Sequence, residues 1–461
     1  MSVCQSNFET SVQSAIDGLT SSCSAETILE TAIAAKSAGT TNQQYTLALG
    51  CDLPDLATDP VVQGTMVYID EYKAPLFATT KEWKGLDGRT YRKDIPDTPM
   101  FATGYNWSGN LGTGAAYTSQ LSFTEVMCSL DWCEVAGGGN ATNAIDTSGK
   151  MWGFGAGNCY NLGDGTTTQR CSPVAEKCCF SWSNVAKHSY VTTAVRTDGT
   201  MWGWGYNLNG VLGLGCSSSY ENGPYQEKLS ATDWCCAVGG VDGRWSAAHK
   251  NDGTLWFAGC NYSNSFGTPS IPNGTSCLCY TQQSPSTVWS KVEPVLSMGH
   301  VAIKPDGTLH VWGSQNYGEF GINTGTGTVC SPIQEYTSST NWCSATGAFG
   351  IAALKTDGTL WNWGRGLYGS NGNNSTANVS SPVQEITSST NWCYAFRGPL
   401  ATAAIKTDGT LWAFGSGYSG GMGTGDLTER SSPVQEATSA TTWSCAITQD
   451  NGWMMAIKSI T

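Results

Sequence analysis

Along most of the chain, apolar and polar residues alternate in short bursts separated by glycine-rich stretches, and the bursts recur. The clearest unit begins with Ala404-Ile405-Lys406, followed by the pair Asp408-Gly409 and by Thr410-Leu411-Trp412-Ala413-Phe414. A glycine-rich loop, Ser432-Pro433-Val434-Gln435-Glu436 and Trp443 complete it. Alternation before Asp-Gly predicts a strand, Asp-Gly supplies a two-residue turn with positive φ, and the large β-formers after it predict the return strand. Related units begin at Ala144, Ala194, Ala248, Ala302 and Ala353. Their turn glycines, Gly149, Gly199, Gly253, Gly307, Gly358 and Gly409, stand about fifty residues apart. Short strands with regular turn signals predict stacked antiparallel sheets.

The closing tryptophan occurs seven times, at Trp132, Trp182, Trp234, Trp289, Trp342, Trp392 and Trp443. The glycine loop also occurs seven times, because residues 101–112 form one more copy. That first copy lacks the preceding Ala-Ile-Lys strand and Asp-Gly turn, whereas Met455-Ala456-Ile457-Lys458 is such a strand with no turn after it. The two halves complete each other only in a ring. The sequence therefore predicts an all-β fold, a seven-bladed β-propeller over residues 98–461. Its composite blade pairs the C-terminal strand with the strand near Met100–Gly104 and leaves no free sheet edge.

Residues 1–97 lie outside the repeat and predict a small α+β anchoring or oligomerisation region. Phe8, Val12, Ala15, Ile16 and Leu19 have helical spacing. Ser24 then caps a second helix carrying Ile28, Leu29, Ala32 and Ile33, with Gly39 placed to stop it. Residues 65–70 and 74–78 predict strands, and 81–89 a hairpin; this β-module is too small to bury much core alone.

Composition narrows the chemistry. Charged residues are only 13 % of the 461, with 56 glycines and 19 tryptophans, a profile opposite to that of disorder. The net charge of −13 and the lack of a Lys/Arg cluster argue against nucleic acid. The first residues have no basic and apolar leader pattern, no run is long enough to insert in a membrane, and assembly in a reducing cytoplasm is expected. Cys178/Cys179 and Cys235/Cys236 are adjacent, Cys277 and Cys279 are spaced C-x-C, and His188, His249, His300 and His310 are scattered. Core thiols are expected from this pattern, with no metal ligand set and no cofactor.

Catalytic signatures are also missing: there is no Gly-x-Ser-x-Gly elbow, phosphate loop or His-Glu-x-x-His helix. A sialidase-like propeller would need clustered arginines, and Arg170, Arg196, Arg244, Arg365, Arg397 and Arg430 are dispersed. Glycine loops such as 415–425 lead into Ser-Pro and another strand, which does not fit a dinucleotide fingerprint. No catalytic residue is expected. Binding remains, and the loop after the Asp-Gly hairpin repeatedly carries a tyrosine: Tyr105, Tyr206, Tyr262, Tyr317, Tyr368 and Tyr418. Such rings suit glycan or protein recognition, and they suit packing between blades equally in kind.

The core Asp-Gly-x-Leu-Trp-x-Trp-Gly-x-Asn-x-x-Gly-x-Leu-Gly, as in Gly205-Tyr206-Asn207-Leu208-Asn209-Gly210-Val211-Leu212-Gly213, resembles the regulator of chromosome condensation repeat family. That resemblance covers residues 98–461 and implies the propeller fold. Family members include an exchange factor that docks on nucleosomes, a plant photoreceptor, β-lactamase inhibitors and phage virion proteins. The acidic balance disfavours nucleosome docking, and the photoreceptor's Gly-Trp-Arg-His-Thr motif is absent. Short N-terminal helices, Leu53-Pro54-Asp55-Leu56 and Trp83-Lys84-Gly85-Leu86-Asp87-Gly88-Arg89 resemble the N-terminal regions of tail- or capsid-attached proteins of marine bacteriophages. This implies a virion structural protein, assembled in the host cytoplasm. It would be joined to other virion proteins or to further copies of itself through residues 1–97, and would display its propeller to a host-surface glycan or protein. The alternative is a soluble scaffold that binds a protein partner as regulator or enzyme inhibitor.

Overall fold

The computed structural model describes residues 98–459 except 127–129, 241–242, 284–286, 296–298 and 450–451, together with the backbone of five short strands between residues 47 and 91. The chain divides into two compact units, Met1–Pro96 and Asp97–Thr461. In the first, Leu47–Ala48, Met66–Ile69, Ala74–Ala78, Trp83–Gly85 and Thr90–Tyr91 form one sheet in that order, parallel only in its first pair. The strands expected at 65–70 and 74–78 lie in this sheet; of the hairpin expected over 81–89 only the first strand, Trp83–Gly85, falls within those bounds, and its partner is Thr90–Tyr91. The expected helices lie outside the described residues.

The second unit is a seven-bladed β-propeller. Seven four-stranded antiparallel sheets surround one axis, and in each the strand that follows or begins with the repeated tryptophan is innermost. Blades 1 to 6 span residues 132–175, 182–226, 234–282, 291–334, 342–384 and 392–435. Blade 7 takes Trp443–Gln449 and Trp453–Lys458 from one end and Met100–Gly104 and Gln120–Glu125 from the other. The closing pair is antiparallel, with Trp453 opposite Gly104, Met455 opposite Ala102 and Ile457 opposite Met100. The expected closure by these two strands is borne out.

The core lies between blades. Met422 and Ala413 of blade 6 pack with Trp443 and Met454 of blade 7, and Met100 and Trp453 of blade 7 pack with Trp132 and Phe154 of blade 1. Comparable clusters join the other neighbours. One alanine recurs at the heart of every second strand: Ala144, Ala194, Ala248, Ala302, Ala353, Ala404 and Ala456 are fully buried.

Each motif residue has a physical task. The aspartate of the turn accepts from the threonine two residues on, and that threonine's Oγ1 accepts from the next tryptophan; Trp412 Nε1 to Thr410 Oγ1 is 2.8 Å. The lysine before the turn lies against two aromatic rings, as Lys406 does at 4.8 Å from Trp392 and 4.4 Å from Trp412. The glutamate of Ser-Pro-Val-Gln-Glu is buried and collects the chain before the next blade. Glu385 accepts from Thr387 N at 2.6 Å, Ser389 N at 2.9 Å and Trp392 Nε1 at 3.2 Å. Glu227, Glu335 and Glu436 repeat this, and Gln283 takes the place toward Trp289. The glycine ending each third strand must have positive φ, +96° at Gly205, where a Cβ would stand 2.2 Å from the carbonyl of Tyr190.

Two outcomes follow. Removing residues 454–461 takes away the partner of Met100–Gly104, so thermal unfolding shifts down by many degrees; an unchanged midpoint contradicts closure. E385A leaves the buried Trp392 Nε1–H and the part-buried amides of Thr387 and Ser389 without their acceptor and costs about 2 kcal/mol in chemical denaturation. E385Q costs distinctly less, because Gln283 already serves at the equivalent position.

Candidate functional site

The innermost strands enclose an axial channel of about 960 Å³. Its wall is set by the side chain two residues after each repeated tryptophan, because a bulge in most inner strands turns that residue toward the next blade. Glu134, Asn184, Cys236, Lys291, Tyr394 and Cys445 occupy these positions. Several neighbouring blades are bonded through these positions. Asn184 Nδ2 donates to Glu134 Oε1 at 2.7 Å, Ala237 N donates to Asn184 Oδ1 at 2.7 Å, and Lys291 Nζ donates to Ser344 Oγ at 2.9 Å.

Burial pushes the Glu134 carboxyl up to about 7, against the lowering effect of the Val185 N–H and Asn184, with Glu293 adding repulsion. Glu293 is raised by burial as well, partly offset by Lys291. Burial likewise lowers Lys187 to about 7, although its ammonium donates to Asn161 O and Thr192 Oγ1, both at 3.2 Å. Arg397 holds the same place in blade 6 and is fixed by Arg365 O, Ser370 Oγ and Thr402 Oγ1. These cations anchor loops within the wall.

The fold also joins residues that the sequence kept apart. In blade 3, Cys235 Sγ lies 3.2 Å from Cys236 Sγ and 3.4 Å from His249 Nδ1. The expectation of core thiols is corrected, because every free cysteine among the described residues is exposed or half-buried; the expectation of scattered histidines is corrected at this point, where cross-strand pairing sets His249 opposite Cys236. Cys236 first and then His249 draw the Cys235 thiol down to about 5.

One face of the ring carries the Asp-Gly turns. The other is built from the turns between the first and second strands and the glycine loops, tied by bonds such as Tyr105 N to Gly452 O and Tyr206 N to Tyr190 O. Five of the six tyrosines lie in these loops and Tyr206 lies in the strand before one, so they do not share one equivalent position. Tyr206 ends a strand and packs on Tyr220 at 6.0 Å, while Tyr317 packs on Phe349 and Arg365 of the next blade. Tyr262 lies beneath Arg244 at 4.5 Å, Tyr368 is half-buried with φ +62°, and Tyr418 is exposed. Tyr105 stacks on Trp107 at 6.1 Å, and Trp107 meets Tyr117 edge-on at 5.1 Å. Trp107 is 54 % exposed and Tyr117 68 %. Sequence reading missed these two; Trp107 stands at the loop position that Tyr262 and Tyr418 hold in blades 3 and 6, three residues after the strand glycine, and Tyr117 follows later in the same loop. The seven repeated tryptophans, in contrast, are all buried.

No family model matches the sequence, and none of the curated proteins does. Solved structures are similar. Prp20p from Saccharomyces cerevisiae is 14 % identical with a TM-score of 0.68, covering 79 % of this chain and 92 % of that one. Human WBSCR16 is 15 % identical with a TM-score of 0.66, covering 78 % and 99 %. Yeast RCC1 (Prp20) bound to Kap60 gives 15 % and 0.67, covering 79 % and 90 %. The fold is that of the RCC1-type propellers. The repeat resemblance read from the sequence is thereby supported at the level of fold.

The channel wall makes a pH-dependent contribution to stability. Glu134 titrates near 7 in the folded chain against an ordinary 4.5, so its contribution is complete below 4.5 and lost as pH rises through about 7. His188 and His300, lowered by burial to about 3, act in the opposite sense below 6.5. The difference between E134Q and the parent chain isolates the carboxyl. Measured by thermal unfolding, E134Q gains relative stability as pH rises from 4.5 to 7.

Proposed function

We propose that this chain is a non-enzymatic binding protein that displays an RCC1-type propeller from an attachment region in residues 1–97, as a structural protein of a bacteriophage particle. The observation that carries the reading is the contrast between the two kinds of aromatic residue. The repeated tryptophans are consumed by packing, whereas the exposed rings of Trp107 and Tyr117, with the half-buried Tyr105 stacked on Trp107, form a mutually braced cluster on the glycine-loop face. Tyr117 N to Asn106 O at 2.6 Å and Asn106 Nδ2 to Ala115 O at 2.8 Å fix the loop that presents them. Rigid rings give contact area at small entropic cost, the property that favours them in recognition of glycans and proteins.

The similar structures support binding as the general role: the work on Prp20p concerns its binding to Gsp1p and histones, and yeast RCC1 was solved with Kap60. They also favour the second reading, a soluble scaffold for one protein partner. Residues 1–97, with the phage-like pattern in sequence, favour the particle-bound form over that scaffold.

Mass spectrometry of purified particles should find the chain at a fixed copy number, and its absence from washed particles rejects the virion role. Adsorption to the host surface should fall on the order of tenfold or more in the double variant W107A/Y117A, with unfolding unchanged. Unchanged adsorption removes the aromatic cluster from the binding face.

A further inference from the structure

Blade 3 departs from the repeat at His249, and the fold puts that ring in contact with Cys235 and Cys236. The residue after the repeated tryptophan is serine or cysteine in every blade. In the other six its side chain bonds a carbonyl of the second strand: Cys133 Sγ to Ile145 O, Cys343 Sγ to Leu354 O and Cys393 Sγ to Ile405 O, each at 3.4 Å, with Ser183, Ser290 and Ser444 doing the same. Cys235 instead turns to Cys236 and His249. The position of His249 is aliphatic in all other blades: Ile145, Val195, Ile303, Leu354, Ile405 and Ile457. A histidine in a core position asks for a compensating interaction, since burying a polar ring without one costs about 1–3 kcal/mol.

We propose that Cys235 Sγ, Cys236 Sγ and His249 Nδ1 form a binding site for a zinc-type divalent ion. Three donor atoms around one tetrahedral zinc, with Zn–S near 2.3 Å and Zn–N near 2.0–2.1 Å, stand roughly 3.5–3.8 Å from one another. The three separations here are 3.2, 3.4 and 4.0 Å. Small side-chain rotations bring them to that geometry. The inner-strand bulge between Trp234 and Cys236 lets two adjacent cysteines serve one ion, which a regular strand would point to opposite faces. The donor set, two soft thiolates and an imidazole, suits zinc over magnesium or calcium. Both thiols release their protons to solvent on ligation, and the imidazole binds as the neutral ring through Nδ1. His249 Nε2 is buried without a hydrogen-bond partner, so the polar side-chain contacts of the ring run through Nδ1 to the two thiols. Cys236 and His249 border the channel, so the fourth coordination position opens to solvent or to a small ligand in it. Glu293 and Glu134 act on Cys236 through their negative charge, an environment that attracts a cation.

The test uses the full chain under reducing conditions, loaded with zinc, dialysed and read by elemental analysis. The parent chain should carry one zinc more than H249I. Isoleucine restores the residue type of the other blades, so the ring keeps or gains thermal stability in that variant. C235S/C236S should lose the same equivalent, and C343S, at the matching position of blade 5, should lose none. Cobalt in place of zinc should give thiolate-to-metal charge-transfer absorption that is absent from H249I, with affinity weaker by at least about 100-fold. Equal zinc content in the parent chain, H249I and C235S/C236S overturns the proposal, as does a cobalt spectrum without thiolate bands.

Discussion

No blade of this ring can stand at an end. Each four-stranded sheet buries both faces against neighbours, so the structure depends on the antiparallel pairing of Trp453–Lys458 with Met100–Gly104. That pairing joins residues more than three hundred positions apart in sequence, at a large cost in chain entropy. Clusters on both sides of blade 7 offset it, with Trp453 and Met455 packed toward blade 1 and Met454 and Ala456 toward blade 6. The two methionines that stand where other blades have small or β-branched residues suit this seam, since flexible thioethers fill irregular gaps.

The repeat consumes its own chemistry. Aspartate, threonine and tryptophan of the turn satisfy one another, the lysine lies between rings, and the buried glutamate accepts the donors that would otherwise be stranded at the entry to the next blade. A residue type that recurs in most blades is thereby explained by packing. Function is left to the groups that this packing does not consume: the exposed rings at Trp107 and Tyr117, and the Cys235, Cys236 and His249 group in blade 3.

Much of this was legible in the sequence because its signals are local. Asp-Gly turns, two-residue alternation and recurring tryptophans each act within a few residues, and the complementary halves at 101–112 and 455–458 revealed the closure. The site was less legible for the same reason. His249 lies 13 to 14 residues from its thiol partners and meets them only across a hairpin; aligning the blades shows an aliphatic column interrupted by one histidine. The tyrosines look alike in the linear repeat, yet they stand at different offsets from the strand glycine, which puts Tyr206 in a strand, Tyr317 against the next blade and Tyr418 in solvent.

Closure, channel and loop face thus form one chain of dependence, in which the seam keeps the inner strands in place and the inner strands position every candidate site. Amide hydrogen exchange across the folded chain measures that seam directly. The account predicts that residues 100–104 and 453–458 are protected as strongly as the matching strands of blades 2 to 6, and lose protection together with them as denaturant rises. Fast exchange at 100–104 and 453–458 while the other blades stay protected would contradict it.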